Sequence, residues 1–217
     1  MTPPSKYQSK SRKSKIRNTA KYYLFPEGTK TEYKYFDEVE LKRILNITNL
    51  EVILKEDTST SDPVNLFKFA TGYLKKNRIK PDNDNIVVFV FDLEMGQSNR
   101  YERCRQLKNL IGENSDKYRI YISNPCIELW FIMHHERFEG LHEHDYSDPR
   151  SCKTKFNELF NGKYKLLYDR LDIARKNARK LLADNKLNDP DPCLEDIIFT
   201  TLHLLFEELE KSRVFNR

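Results

Sequence analysis

The chain has 217 residues, 38% of them apolar and 33% charged, which allows one sizeable core and suits a soluble protein with much polar surface. No apolar run approaches the roughly 20 residues that cross a bilayer, and no apolar signal-peptide core opens the chain, so a membrane role is excluded and the cytoplasm is expected. The net charge of +5 is uneven: residues 1–21 hold seven Lys or Arg and no acid, so the rest of the chain is left at a net −2.

Residues 1–19, rich in Ser, Lys, Arg and Pro, cannot bury enough surface to offset ordering and read as a flexible basic arm. Such an arm attracts phosphate backbones or simply keeps a terminus soluble. Tyr22 to Phe25 predict the first strand, and Glu27 follows at its carboxyl end. Thr29 and Glu32 have the spacing of a helix capping box, with Gly28 loosening the turn and Lys30 between them. The apolar positions Tyr33, Phe36, Val39 and Ile44 predict one helix over residues 31–46. A capping role explains Glu32 as well as a metal-binding one does.

A second strand is expected over residues 50–55, and Asp62 with Pro63 marks the start of a helix running to about residue 77. Ile86 to Phe91 is an unbroken apolar run that reads as a central strand buried on both faces. It ends in Asp92 and Glu94, two acids that alternate toward one rim, beyond the strand ends where open α/β sheets bind ligands. Like charges so placed call for a divalent cation with oxygen ligands, most simply Mg²⁺ or Mn²⁺, unless they are solvated loop charges or a helix cap.

Ser98 opens a helix to about residue 111, and Tyr118 to Ile122 form the next strand. Ser123 or Asn124 then caps, and Pro125 opens, a helix apolar nearly all round that contains Trp130. Glu128 lies in its first turn, facing the edge to which Glu27 and Asp92 point, although a carboxylate there also complements the helix dipole. His134, further along, is placed for acid–base or phosphate work. Residues 137–150 read as a loop with His142 and His144, which with His134, His135 and Cys152 raise a zinc site as a further reading. The four cysteines, Cys104, Cys126, Cys152 and Cys193, are widely spaced and expected to be reduced. Helices over about 151–161, 164–184 and 194–211 complete the chain. Arg170, Arg175, Lys176, Arg179 and Lys180 make the second of these a candidate nucleic-acid contact.

Phe25-Pro26-Glu27-Gly28-Thr29-Lys30-Thr31-Glu32 followed by Tyr35-Phe36, the strand ending in Asp92-Leu93-Glu94, and Ser123-Asn124-Pro125-Cys126-Ile127-Glu128-Leu129-Trp130 together resemble the RloB-like family over about residues 20–210. The resemblance implies the Toprim fold shared by topoisomerases, primases and OLD-type nucleases. That is a Rossmann-like α/β domain at 20–217, with a mostly parallel sheet flanked by helices and a helical C-terminal part from about residue 151. It implies a Mg²⁺- or Mn²⁺-dependent nuclease of anti-phage defence, acting on RNA, tRNA in particular, or on DNA, and often encoded beside a partner ATPase. A homo-oligomer is compatible with it.

By the same resemblance Glu27 ligates metal or acts as general base, and Asp92 and Glu94 correspond to the family's D-x-D pair. Glu32 corresponds to a second-metal acid, and Lys30 offsets charge on the phosphate. Glu128 assists. Leu93 stands where the family usually has Arg, which removes a positive group from the site. The rival expectation is a Toprim-like domain without catalysis that binds nucleic acid or the ATPase.

Overall fold

In the computed structural model, residues 20–28, 31–55, 62–94, 98–187 and 197–212 are described. The basic arm at 1–19, Thr29 and Lys30 and Cys193 lie outside them.

Five strands form one sheet in the order β2-β1-β3-β4-β5, comprising β1 (Lys21–Pro26), β2 (Leu50–Val52), β3 (Asn85–Asp92), β4 (Tyr118–Asn124) and β5 (Phe199–Thr200). The first four are parallel, with Phe25 opposite Phe89 and Asp92 opposite Ser123, and β5 closes one edge antiparallel to β4. Period-two alternation sorts the strand side chains into two apolar layers. Tyr22, Leu24, Ile86, Val88 and Val90 pack against α2 (Glu38–Leu45), α5 (Ile127–Ile132), α6 (Pro149–Phe160) and α9 (Leu202–Lys211). Tyr23, Phe25, Val87, Phe89 and Phe91 pack against α3 (Pro63–Lys76) and α4 (Ser98–Ile111). With helices on both faces, β3 has no side that can be polar, which accounts for its unbroken apolar run. The expected α/β class, a mostly parallel sheet flanked by helices with a helical C-terminal part, is what the chain adopts.

Several boundaries differ from expectation. The helix predicted over 31–46 is two, α1 (Thr31–Tyr35) and α2, because Asp37 leaves the helical backbone and its carboxylate accepts from the Glu40 amide as a new cap. The break lets the adjacent Tyr35 and Phe36 both bury. Likewise the span 164–184 divides at Asp169 and Arg170 into α7 (Lys165–Tyr168) and α8 (Leu171–Asp184). Phe199 and Thr200, expected in a helix, pair with β4 instead. The loop at 137–150 holds two short 3-10 turns. The cap at Asp62 is as expected, accepting from the Val64 and Asn65 amides. Pro125 precedes α5 rather than opening it, and Ser123 and Asn124 bond to Thr200 and the Ile197 carbonyl instead of capping.

Among the described residues no helix is long and apolar enough to cross a membrane. Cys126 and Cys152 are buried free thiols, whereas Cys104 is disulfide-bonded rather than reduced.

Candidate functional site

Strand β1 lies between β2 and β3, so the chain leaves β1 toward one side for β2 and returns to the other side for β3. This is a switch point, where diverging connections open a crevice at the carboxyl edge. Glu27 comes off β1 there, its amide donating to the Val90 carbonyl at 2.9 Å, and Asp92 ends β3 beside it. Glu32 enters from the first turn of α1 and Glu128 from the first turn of α5, and both are buried, at 8% and 4% exposure. These four acids and Glu94 line one cleft of about 190 Å³. Gly28 is required by a close approach: a Cβ on it would lie 1.9 Å from Glu32 Oε2, so the Glu32 carboxylate rests on bare backbone.

Crowded carboxylates out of water hold their protons. Burial, reinforced by the charges of Glu32, Glu128 and Glu27, raises the Asp92 carboxyl well above the ordinary range, and Arg100 offsets this only in part. Burial pushes Glu32 up to about 7, with Glu128 and Glu27 adding to the rise and backbone amides opposing it.

Two cations that the sequence reading did not single out complete the site. Arg100, 7% exposed on α4, grips Glu27 with two bonds, Nη1 to Oε1 at 2.7 Å and Nη2 to Oε2 at 2.9 Å. The same Nη2 donates to the Asp92 carbonyl at 3.0 Å, and Nε stands 3.6 Å from Glu94 Oε2. One guanidinium thus ties the ends of β1 and β3 together. Its sequence signal was weak but physical: a first helical turn with Arg and no acid runs against the dipole unless something anionic faces it. Lys153 of α6 also lines the cleft. Burial opposes its charge, but the field of Glu128, Asp92 and Glu32 overrides that and raises its pKa. Leu93 is fully buried in the apolar layer with Phe91, and the positive charge expected at its position is supplied by Arg100 and Lys153.

The remaining expectations fare differently. His134 is not in the cleft: it is fully buried, Nδ1 pairs with the Trp130 carbonyl at 2.9 Å, and Nε2 lies 3.5 Å from the Tyr35 hydroxyl. Burial lowers its pKa to about 3, so it stays neutral and structural. His142 and His144 stack on each other at the surface, away from the buried Cys152, and provide no zinc site. On α8 the basic residues are largely committed within the fold, Arg175 to Asp172 and Glu210, Arg179 to Glu207, and Lys180 to Glu139. The place of Lys30 lies outside the described residues.

Among the described residues no three His, Cys, Asp or Glu side chains are gathered closely enough to hold a metal ion as they stand. The donor chemistry nonetheless suits a hard cation, since the acids are all oxygen donors and the charges of Glu128 and Glu27 raise the proton affinity of Glu32 and Asp92. Both Glu27 oxygens accept from Arg100 and each keeps a further lone pair, so the acids suited to a cation are Glu27, Asp92, Glu32 and Glu128, with Glu94 also in the cleft.

The family model described as RloB-like protein matches residues 22–209, nearly the whole described chain. No curated protein and no solved structure matches it.

Proposed function

The chain belongs to the RloB-like family, and from that premise we propose that it is a metal-dependent phosphodiesterase, a nuclease of bacterial anti-phage defence. The observation that supports this reading is the convergence of Glu32, Asp92 and Glu128 from three separate elements on one cleft at the switch point of the sheet. A bound Mg²⁺ or Mn²⁺ would polarise a scissile phosphate and acidify a water. Asp92, Glu32 and Glu128 would hold that ion. Arg100, fixed by its paired bonds to Glu27, keeps a positive charge at the cleft floor, and Lys153 brings a second one to its mouth. Both act on negative charge that develops on the phosphate. Glu27 positions Arg100 and, with a lone pair left on each oxygen, is open to the metal or to a water as ligand or base.

The substrate is nucleic acid, tRNA ahead of other RNA or DNA, in the cytoplasm, with an ATPase encoded nearby as the partner. A second reading, a non-catalytic domain that binds nucleic acid or the ATPase, is favoured by one observation: Arg100 occupies both oxygens of Glu27.

The test incubates purified protein with total tRNA and with plasmid DNA in Mg²⁺ and in Mn²⁺, alone and with the ATPase, beside an Asp92→Asn variant. Cleavage that needs both metal and Asp92 is expected. Stoichiometric binding without cleavage under all of these conditions would favour the second reading.

A further inference from the structure

Next to the acidic cleft lies a larger concavity of about 470 Å³ with the opposite character. Its walls carry Lys34, Lys163 and Lys165, the aromatic Tyr33 and Tyr164, and a single acid, Asp37, whose carboxylate is engaged in capping α2. The geometry follows from the end of α6. Asn161 and Gly162 both adopt left-handed backbone, at φ 50° and 65°, which turns the chain so that residues 163–166 face α1.

Tyr164 is braced from behind by the rings of Phe131 at 5.5 Å and Phe156 at 5.2 Å, with Lys34 Nζ 5.9 Å from its own ring. Tyr33 and Leu166 are 56% and 48% exposed, more than apolar surface of that size needs to be without a partner. The two concavities meet at Tyr164: its hydroxyl reaches the Thr31 side chain, which lines the acidic cleft, and it senses the charges of Glu128 and Glu32.

We propose that this groove is a binding track for single-stranded nucleic acid, which seats one or two nucleotides beside the acidic cleft. Bases stack on Tyr33 and Tyr164, and Lys34, Lys163 and Lys165 neutralise the phosphates. An exposed aromatic, Tyr33, and a half-buried one, Tyr164, between lysines match the two chemistries of a single strand, π-faces and a regular anionic backbone. A duplex keeps its bases stacked internally and offers no face to Tyr33. The juxtaposition also solves a problem for the acidic cleft, which repels phosphate by itself: attraction next door delivers it. The inference deepens the nuclease reading and rests on it for the direction of the strand, but binding is measured without cleavage.

The test is fluorescence anisotropy of labelled oligouridylate and oligothymidylate in EDTA, with a duplex of the same length alongside. Tyr33→Ala is expected to weaken binding of the single strands about tenfold, the scale of one stacked base, while Tyr33→Phe retains it. Joint replacement of Lys34, Lys163 and Lys165 by Ala should reduce the slope of log K against log salt by about 2, at about 0.7 per phosphate contact. A Lys75→Ala/Lys76→Ala control on α3 should leave both quantities unchanged. Wild-type affinity and slope in the groove variants, equal loss in the control, or duplex binding as tight as single strand would overturn the proposal. Groove-dependent binding without cleavage in Mn²⁺ would instead defeat the nuclease reading alone. Metal-dependent cleavage with wild-type KM in the groove variants would defeat the groove alone.

Discussion

Helix α5 separates two buried polar clusters with opposite accounts of themselves. On one side Trp130 Nε1 donates to the Tyr35 hydroxyl at 2.6 Å, the Tyr168 hydroxyl donates to the Tyr35 carbonyl, and His134 pairs with the Trp130 carbonyl. Donors there meet acceptors and the groups are neutral. On the other side Glu128 faces Glu32 and Asp92, acceptors that meet acceptors, and among the described residues the cations that answer them are Arg100 and Lys153. A matched cluster holds a fold together, whereas a mismatched one is tolerated where a ligand is to be bound. By this contrast Glu128 falls on the side of the proposed site and His134 on the matched side, although both are buried on the same short run of chain.

The largest expected effect comes from removing the buried cation of the mismatched side. Arg100→Met leaves Glu27 buried and uncompensated, and chemical denaturation should report a loss of roughly 3–5 kcal/mol. Next, Asp92→Asn should cut cleavage on the order of 10²–10³-fold, the scale of losing a group that acts on transition-state charge. Unlike Arg100→Met it should raise the melting temperature of the metal-free protein at neutral pH, because a carboxyl that the fold keeps protonated well above its ordinary range costs stability there. On the matched side Tyr35→Phe strands the Trp130 donor in the core and should cost about 1–3 kcal/mol with cleavage per folded molecule unchanged.

A pair of opposed pH slopes also separates the two clusters. Glu32, raised from its ordinary 4.5 to about 7, keeps in the fold a proton that the unfolded chain has lost. The stability it gives is full below pH 4.5 and is lost as pH rises toward about 7. His134, lowered from 6.5 to about 3, acts the other way: its contribution is full above pH 6.5 and is lost as pH falls toward about 3. Melting curves of metal-free Glu32→Gln should therefore show a shallower decline between about pH 4.5 and 7, the remainder belonging to Asp92, while keeping the acid-side loss.

Much of this contrast was legible in the chain because the acids sit at boundaries. Glu27 and Asp92 stand where apolar runs end and Glu128 where one begins, so strand and helix ends alone direct them to one edge. Gly28 was legible as a turn residue, but its real constraint, the Glu32 carboxylate against its backbone, needs three dimensions. Lys153 reaches the site only through the packing of α6 on α5, which leaves no local pattern. His134 was misread because an all-apolar helix has no polar face by which to tell its two sides apart. The pairing of the α8 charges was not legible because a basic run reveals nothing of the acids on α9 that meet it.

The central claim is that the mismatched side of α5 is built for a divalent cation. Calorimetric titration of Mn²⁺ into the wild-type protein at pH 6 and pH 8, beside Asp92→Asn, tests it most directly. The account predicts saturable binding that releases protons, tightens at the higher pH, and weakens at least tenfold in Asp92→Asn. No binding at either pH, or binding that Asp92→Asn leaves unchanged, would contradict it.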